Sequence, residues 1–125
     1  MLCDFSAGGF RHPEMVKRRP VVVINSRLPY RDGLVTVVPL SGTESDPRAK
    51  YHCRIELDDD LPHPFPAKVW WAKCDMVASV GFARLDYFHT ARDHTGQRKY
   101  LTSLQINDAH LDQIREAVRH ALGLH

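Results

Sequence analysis

The sequence predicts a mainly β fold, a small curled antiparallel barrel with one C-terminal helix, formed as a single domain over residues 1–125. Three observations predict it. Short β-branched or alternating runs are separated by loops rich in Gly, Pro, Ser and Asp. The strand-helix alternation that builds a parallel sheet is absent. Apolar residues recur at helical spacing only near the C-terminus.

The strands are predicted from apolar or alternating runs at residues 2–5, 20–24, 34–40, 51–57, 68–73 and 76–80. Pro39 places the end of the second long run at a sheet edge or a bulge, because proline donates no ladder hydrogen bond. Residues 82–88 are too short to assign, and residues 89–99 form a polar connection. Residues 100–106 fit either a last strand or the approach to the helix.

The helix is the clearest element. Asn107 is a suitable N-cap, and Asp108 is favourable in the first turn. Its apolar residues recur at helical spacing, and Gly123 suits the position after the helix end. The spaced residues are Leu111, Ile114, Val118, Ala121 and Leu122.

Composition narrows the class of protein. The net charge is only +2, so binding of a polyanion requires local clustering of cations. The three cysteines, Cys3, Cys53 and Cys74, are odd in number and form no CxxC pair, which argues against a secreted disulfide framework or a zinc site. There is no signal-peptide pattern and no apolar run long enough to span a bilayer. We therefore expect a reduced, cytoplasmic compartment and no membrane.

A basic segment is the first candidate site. Residues 11–19 contain Arg11, His12, Lys17, Arg18 and Arg19, and they run directly into the rigid strand at 20–24. Such a strand fixes the last guanidinium, which matches two phosphate oxygens. The alternative is a solvated basic loop.

Strand ends supply two further candidates. Ser41 and Thr43 follow the strand at 34–40 and offer hydroxyls and backbone N–H groups to a phosphate, although the same residues suit an ordinary turn. Lys73, Cys74 and Asp75 follow the strand at 68–73. A carboxylate near cations can accept the proton of a ribose 2′-hydroxyl, whereas the alternative is a strand-end salt bridge. Cys74 is expected to pack in the core.

The remaining chemistry-bearing residues favour no cofactor. Eight histidines are present, but none has HxxxH spacing, so we predict no metal. No phosphate-binding glycine motif or nucleophile elbow occurs. Trp70 and Trp71 are adjacent in a strand, so one should face the core and the other the surface, where it can stack on a base or fill a dimer interface.

Four segments resemble the MazF/PemK family of toxin–antitoxin ribonucleases, in the family's order. KRRPVVVIN at 17–25 resembles its signature block, and residues 8–20 resemble its basic first loop. LVTVVPLSGT at 34–43 resembles its second strand and the hydroxyl residue after it. WWAKCDMVASVGFARLD at 70–86 resembles the segment ending in its Arg-Leu pair.

The resemblance implies an SH3-like, CcdB-type barrel that forms a homodimer, cleaves single-stranded mRNA at a short sequence and is neutralised by a cognate antitoxin. Arg19 matches the family's arginine before the proline, Ser41 its Thr/Ser, and Asp75 the acid of its Cys-Asp pair. Lys73 lies where some members have arginine, and His12 lies within one residue of a histidine found in part of the family. The chain departs from the family in lacking several residues before its first strand.

A metal-independent mechanism follows as a hypothesis. Asp75, or else His12, takes the proton of a 2′-hydroxyl, and the oxygen attacks the adjacent phosphorus to leave a 2′,3′-cyclic phosphate. Arg19, with Lys73 and a group near Ser41, stabilises charge on the phosphoryl oxygens. The expected RNA contacts are His12, Lys17, Arg18, Lys73 and Thr43. Two alternatives stay open: a non-catalytic, CcdB-like toxin, and a partner-binding module of the same fold.

Overall fold

One antiparallel sheet dominates the computed structural model, which describes residues 1–6, 17–25, 30, 32–89, 92–101 and 104–124. Within these residues, strands β1 to β7 form the sheet in the order β4-β5-β3-β2-β1-β7, with β6 paired to β3, and β8 and β9 form a separate hairpin. The strands are β1 (Leu2–Asp4), β2 (Arg18–Val23), β3 (Leu34–Ser41), β4 (His52–Glu56), β5 (Val69–Lys73), β6 (Ala78–Gly81), β7 (Leu85–Asp86), β8 (Phe88–His89) and β9 (Tyr100–Leu101). The helix α1 spans Asp108–Ala121.

The predicted class, mainly antiparallel β with a C-terminal helix, is confirmed, but the sheet is open rather than a closed barrel. Strands β4 and β7 lie at opposite ends of the pairing order, and no pairing among the described residues joins them. After β5 the chain makes a 3-10 turn at Cys74–Met76 and returns as β6 along one half of β3. This return covers part of an edge instead of closing the ring.

Strand β3 lies in the middle of the sheet, so of the two positions predicted for Pro39, a sheet edge or a bulge, the edge is wrong. On one side β3 pairs with β2. On its other side, residues 34–37 pair with β6 and residues 40–41 pair with β5. Pro39 lies in the gap between those two partners, which explains how a residue without an N–H group is accommodated in a central strand.

Helix α1 covers one face of the sheet and closes the larger core. Asn107 Oδ1 accepts a hydrogen bond from the His110 backbone N–H at 2.8 Å, as expected of an N-cap. Ile114, Ala117 and Val118 are buried against Ile55 and Trp70 of the sheet. Neither α1 nor any other helix in the described residues is long and apolar enough to cross a membrane.

The opposite face carries a smaller core at one end only. Cys3, Phe5, Val21, Val37 and Val80 are buried there, away from the helix. Because side chains alternate along a strand, Val21 belongs to this face whereas its neighbour Val22 belongs to the helix-covered face. The other end of this second face has no apolar cluster among the described residues, and polar side chains occupy it.

All three cysteines are free and buried. Cys53 and Cys74 lie in the larger core with their Sγ atoms 3.9 Å apart, which confirms the packing role predicted for Cys74. Their contact, together with burial, raises the pKa of Cys74, and the same contact lowers the pKa of Cys53. Cys3 lies in the smaller core, where burial raises its pKa to about 11.

Candidate active site

The strand register aligns Arg19 with Ser41. Strands β2 and β3 pair Val21 with Pro39, and continuing that antiparallel register by two residues sets Arg19 opposite Ser41. Ser41 in turn pairs with Trp71 of β5. Residues directly opposite one another share a face, so all three side chains belong to the second face, at its polar end.

Arg19 and Lys73 form a pair of neighbouring cations on this face. Arg19 is half-buried, and its Nε is buried without a hydrogen-bond partner among the described residues. Lys73 Nζ donates to Ser45 Oγ at 2.6 Å. Burial lowers the pKa of Lys73 and the Arg19 charge lowers it further, whereas Asp75 opposes this shift. Two neighbouring cations form a site suited to an anion.

Asp75 lies beside this pair and contacts His52. His52 Nε2 is 2.6 Å from Asp75 Oδ1, with side-chain exposures of 15% and 40% respectively. His52 also pairs with Lys73 in the β4–β5 ladder. With Nε2–H donating to the carboxylate, a neutral imidazole leaves Nδ1 unprotonated, and this atom is buried without a partner in the described part of the chain. The arrangement holds one carboxylate oxygen and leaves the other side of Asp75 open.

Sequence reasoning missed His52 as a site residue. Asp75 and His52 are separated by 23 positions, and only the register of β4 on β5 brings them together. The sequence shows a histidine at the start of an alternating strand. It does not show which residue that histidine contacts, because the sequence spacing of the two residues does not predict the strand pairing.

Ser41 is less accessible to a ligand than its position after a strand predicts. It is 6% exposed, and its Oγ accepts the backbone N–H of Thr43 at 3.1 Å. This bond shapes the turn after β3, as serine hydroxyls commonly do, while Thr43 is exposed. Ser41 therefore positions the turn beside Arg19, and its hydroxyl hydrogen remains available as a donor.

Lys17 and Arg18 line a different surface. Arg18 alternates with Arg19, so it belongs to the helix-covered face, and its Nη2 is 3.8 Å from Asp86 Oδ2. Both residues are exposed and border a groove of about 330 Å³. Arg19, one member of the cation pair, also lines this groove, as does Gly42. The other lining residues are mostly apolar: Pro20, Leu40, Pro64, Phe65, Pro66, Ala67 and Trp70.

His12 lies outside the described residues. Among the described residues, no three His, Cys, Asp or Glu side chains are grouped so as to hold a metal ion. The arrangement can bind a phosphate through Arg19 and Lys73 and can accept a proton at Asp75.

The fold defines a class of small β-rich proteins in which a C-terminal helix covers one face of an open antiparallel sheet. The model of the PemK-like, MazF-like toxins of type II toxin–antitoxin systems matches residues 1–122, and the chain belongs to that family.

Two relatives and one solved structure are similar to the chain. YifN of Escherichia coli K12 is 33% identical over 88 residues, which are 68% of this chain and 58% of that protein. An uncharacterized protein of Haemophilus influenzae is 32% identical over 111 residues, covering 79% of this chain and 73% of its own length. The match to YifN thus spans less than two thirds of that relative. The Mycobacterium tuberculosis toxin MazF-mt6 is 18% identical, with a TM-score of 0.49 over 90% of this chain and 93% of that chain.

Proposed function

We propose that the chain is a type II toxin that acts as a metal-independent endoribonuclease on single-stranded mRNA. It would cut at a short sequence, in the cytoplasm, as a homodimer of single-domain subunits, and a cognate antitoxin would neutralise it. Family membership supports the toxin role. The observation that carries the nuclease role is the position of Lys73, whose ammonium lies close enough to both the Arg19 guanidinium and the Asp75 carboxylate for their charges to act on it.

The two cations fit the charge that develops in phosphoryl transfer. When a 2′-oxygen attacks phosphorus, negative charge grows on the non-bridging oxygens, and fixed donors aimed at them stabilise the transition state. Strand β2 holds Arg19 in place, and its guanidinium is charged at any working pH, so it can stabilise that charge electrostatically. Lys73 carries a second charge, and its lowered pKa makes its ammonium the stronger proton donor to the leaving oxygen.

Asp75 serves as the base in this proposal. It takes the proton of the ribose 2′-hydroxyl, the 2′-oxygen bonds to phosphorus, and the bond from phosphorus to the 5′-oxygen breaks. The products are a 2′,3′-cyclic phosphate and a 5′-hydroxyl. His52 holds the carboxylate through its 2.6 Å contact and acts as a positioning residue. DNA resists because it lacks the attacking group.

Binding would extend from the reacting phosphate into the neighbouring groove. Ser41 positions the turn, and Thr43 is exposed beside it. Lys17 and Arg18 line the groove, whose walls contain Phe65 and Trp70. Cations with aromatic side chains are the usual combination for a single nucleic acid strand. His12, which belongs to the basic segment at 11–19, is a further RNA contact in this proposal.

The decisive experiment incubates the purified chain with single-stranded RNA and, separately, with DNA of the same sequence, both in EDTA. We expect discrete RNA fragments with cyclic-phosphate and 5′-hydroxyl ends and intact DNA. Asp75→Asn should lose most of the rate, whereas Asp112→Asn, which alters an exposed carboxylate of α1, should not. Sequencing the 5′ ends gives the recognised sequence.

Two results would overturn the proposal. Intact RNA after prolonged incubation would favour the non-catalytic, CcdB-like alternative. Cleavage at the wild-type rate by a folded Asp75→Asn protein would remove the assigned base.

A further inference from the structure

The β8–β9 hairpin is an exposed basic projection. Phe88 pairs with Leu101 and His89 pairs with Tyr100, and every residue from 92 to 100 is exposed. The segment from Arg92 to Lys99 contains three Arg and Lys residues against one Asp. The catalytic proposal uses none of these residues.

The tip of this hairpin is ordered by its own hydrogen bonds. Asp93 Oδ1 accepts from the backbone N–H groups of Thr95 at 2.8 Å and Gln97 at 3.0 Å, and from Thr95 Oγ1 at 2.6 Å. Gly96 has a φ of +81°, which favours glycine. Arg92 Nη1 donates to the Gly96 carbonyl at 2.8 Å. The one carboxylate is thus occupied by its own turn, and the tip presents a preformed basic surface.

The base of the hairpin is attached to the wall of the groove. Phe88 is buried, and its ring lies edge-on to Phe65 with centroids 6.4 Å apart. Phe65 in turn contacts Trp70, with centroids 6.3 Å apart. Phe65 and Trp70 both line the groove that Lys17 and Arg18 border. The base of the hairpin therefore packs against the wall of that groove.

We propose that the β8–β9 hairpin is an RNA-binding arm that contacts nucleotides outside the cleaved sequence. The proposal rests on the proposed function, because the groove must carry RNA for the arm to extend it. Arg98 and Lys99 would bind phosphates, and Tyr100, 51% exposed, offers a ring face for stacking.

The composition of the arm favours RNA over a protein partner. Residues 92–100 contain no aliphatic side chain, so Tyr100 would be the sole apolar anchor that this segment offers to a protein interface. A polyanion needs only the cations and a stacking surface. An acidic antitoxin segment is the competing occupant that the experiment must exclude.

The test compares two RNA substrates, a short one limited to the cleaved sequence and a second one extended by about 10 nucleotides on each side. The double variant Arg98→Ala/Lys99→Ala should raise KM for the long substrate about tenfold at low salt and should cut the short one like the wild type. Two lost phosphate contacts should reduce the slope of log KM against log salt by about 1.4. Arg119→Ala, on the exposed side of α1, is the matched control and should change neither.

A second variant changes the shape of the tip without changing its charge. Gly96→Val strains the backbone at a φ of +81° and disturbs the turn that presents the cations. We expect it to raise KM for the long substrate in the same direction as the double variant. Cleavage of the short substrate reports whether either variant is folded.

Several outcomes would contradict the proposal that the hairpin binds RNA. Equal effects on both substrates, or no effect on the long one, contradict it. Loss of antitoxin binding with unchanged RNA kinetics assigns the hairpin to a protein partner instead.

A binding experiment distinguishes failure of the arm from failure of the proposed nuclease activity. It uses the same two RNAs with a 2′-deoxy residue at the cleavage site, which cannot be cut there. If the wild-type protein binds the long 2′-deoxy RNA more tightly than the short one but cuts neither all-ribose RNA, the proposal of an RNA-binding arm holds and the proposal of a nuclease is wrong. Equal binding of the long and the short 2′-deoxy RNA contradicts the arm.

Discussion

The two faces of the β2–β3–β5 sheet are built from the same strands and have opposite roles. On one face, alternate residues such as Val22 and Leu40 join the core that α1 covers. On the other face, the residues between them end in the cluster that contains Arg19 and Ser41. One face is filled by apolar side chains, and the polar end of the other holds cations and a carboxylate.

The difference shows how one short string serves both faces. In the block Arg18-Arg19-Pro20, the period of two assigns the first and third residues to the helix-covered side and the second to the face that carries Ser41. A register shift of one residue would exchange them and move Arg19 to the helix-covered side. Val21 and Val23 pack in the smaller core and Val22 packs in the larger one, and this packing holds Arg19 on the side of the smaller core.

The largest predicted effect is on the cleavage rate, and it should distinguish Arg19 from the neighbouring Arg18. Arg19→Ala should lower the cleavage rate by roughly 10²–10³-fold, because it removes a preorganised donor from the transition state. It should not lower the free energy of unfolding, since the buried Nε has no partner to lose among the described residues. Arg18→Ala should instead raise KM for RNA and leave kcat near the wild-type value. Single-turnover kinetics and urea unfolding measure both, and equal losses in kcat for the two variants would contradict the assignment by face.

On the covered face, Ile114→Ala should reduce the free energy of unfolding by about 2–5 kcal/mol, because it opens a cavity in a fully buried position. Leu122→Ala, at an exposed position just after the same helix, is the control and should change it little. Chemical denaturation gives both values. A loss below 1 kcal/mol for Ile114→Ala would mean that the helix does not close this core.

The N-cap of α1 should have a smaller effect. Asn107→Ala removes the acceptor for the His110 N–H group and should cost about 1 kcal/mol of stability. Asn107→Asp retains an acceptor and should restore most of that loss. Thermal unfolding compares the three proteins, and an unchanged midpoint for Asn107→Ala would show that packing alone sets the helix start.

The smallest effect tests the cation pair through pH. Burial and Arg19 lower the pKa of Lys73 from its ordinary 10.5, so the protonated form is disfavoured in the folded state. The penalty is present below the lowered pKa and is relieved as the pH rises through it toward 10.5. Relative to Lys73→Met, the wild type should therefore gain stability with rising pH in this alkaline window. Lys68→Met is the control, and parallel pH profiles for wild type and Lys73→Met would contradict the pair.

The sequence was informative wherever the period of the apolar residues decided the structure. It predicted the six main strands to within a few residues and the helix with its Asn107 cap. It could not predict that β3 is central, because the single lost N–H of Pro39 falls between two partners. It also described residues 89–99 as a connection, since two-residue strands leave no periodic signal.

The candidate site was predictable only in part, for a similar reason. Arg19 and Asp75 were found because each adjoins a long strand. The pairing of Asp75 with His52 depends on a cross-strand register that no local pattern encodes. The separation of Arg18 from Arg19 follows from alternation, but it becomes meaningful only once the helix is known to cover one face.

The three buried thiols are distributed between the two cores, so their reactivity can report local opening of each core separately. Cys74 is fully buried in the larger core and can react with a soluble alkylating reagent only when that core opens, whereas Cys3 reports on the smaller core in the same way. Mass spectrometry of native protein labelled for increasing times would give a separate opening rate for each side without introducing any foreign probe.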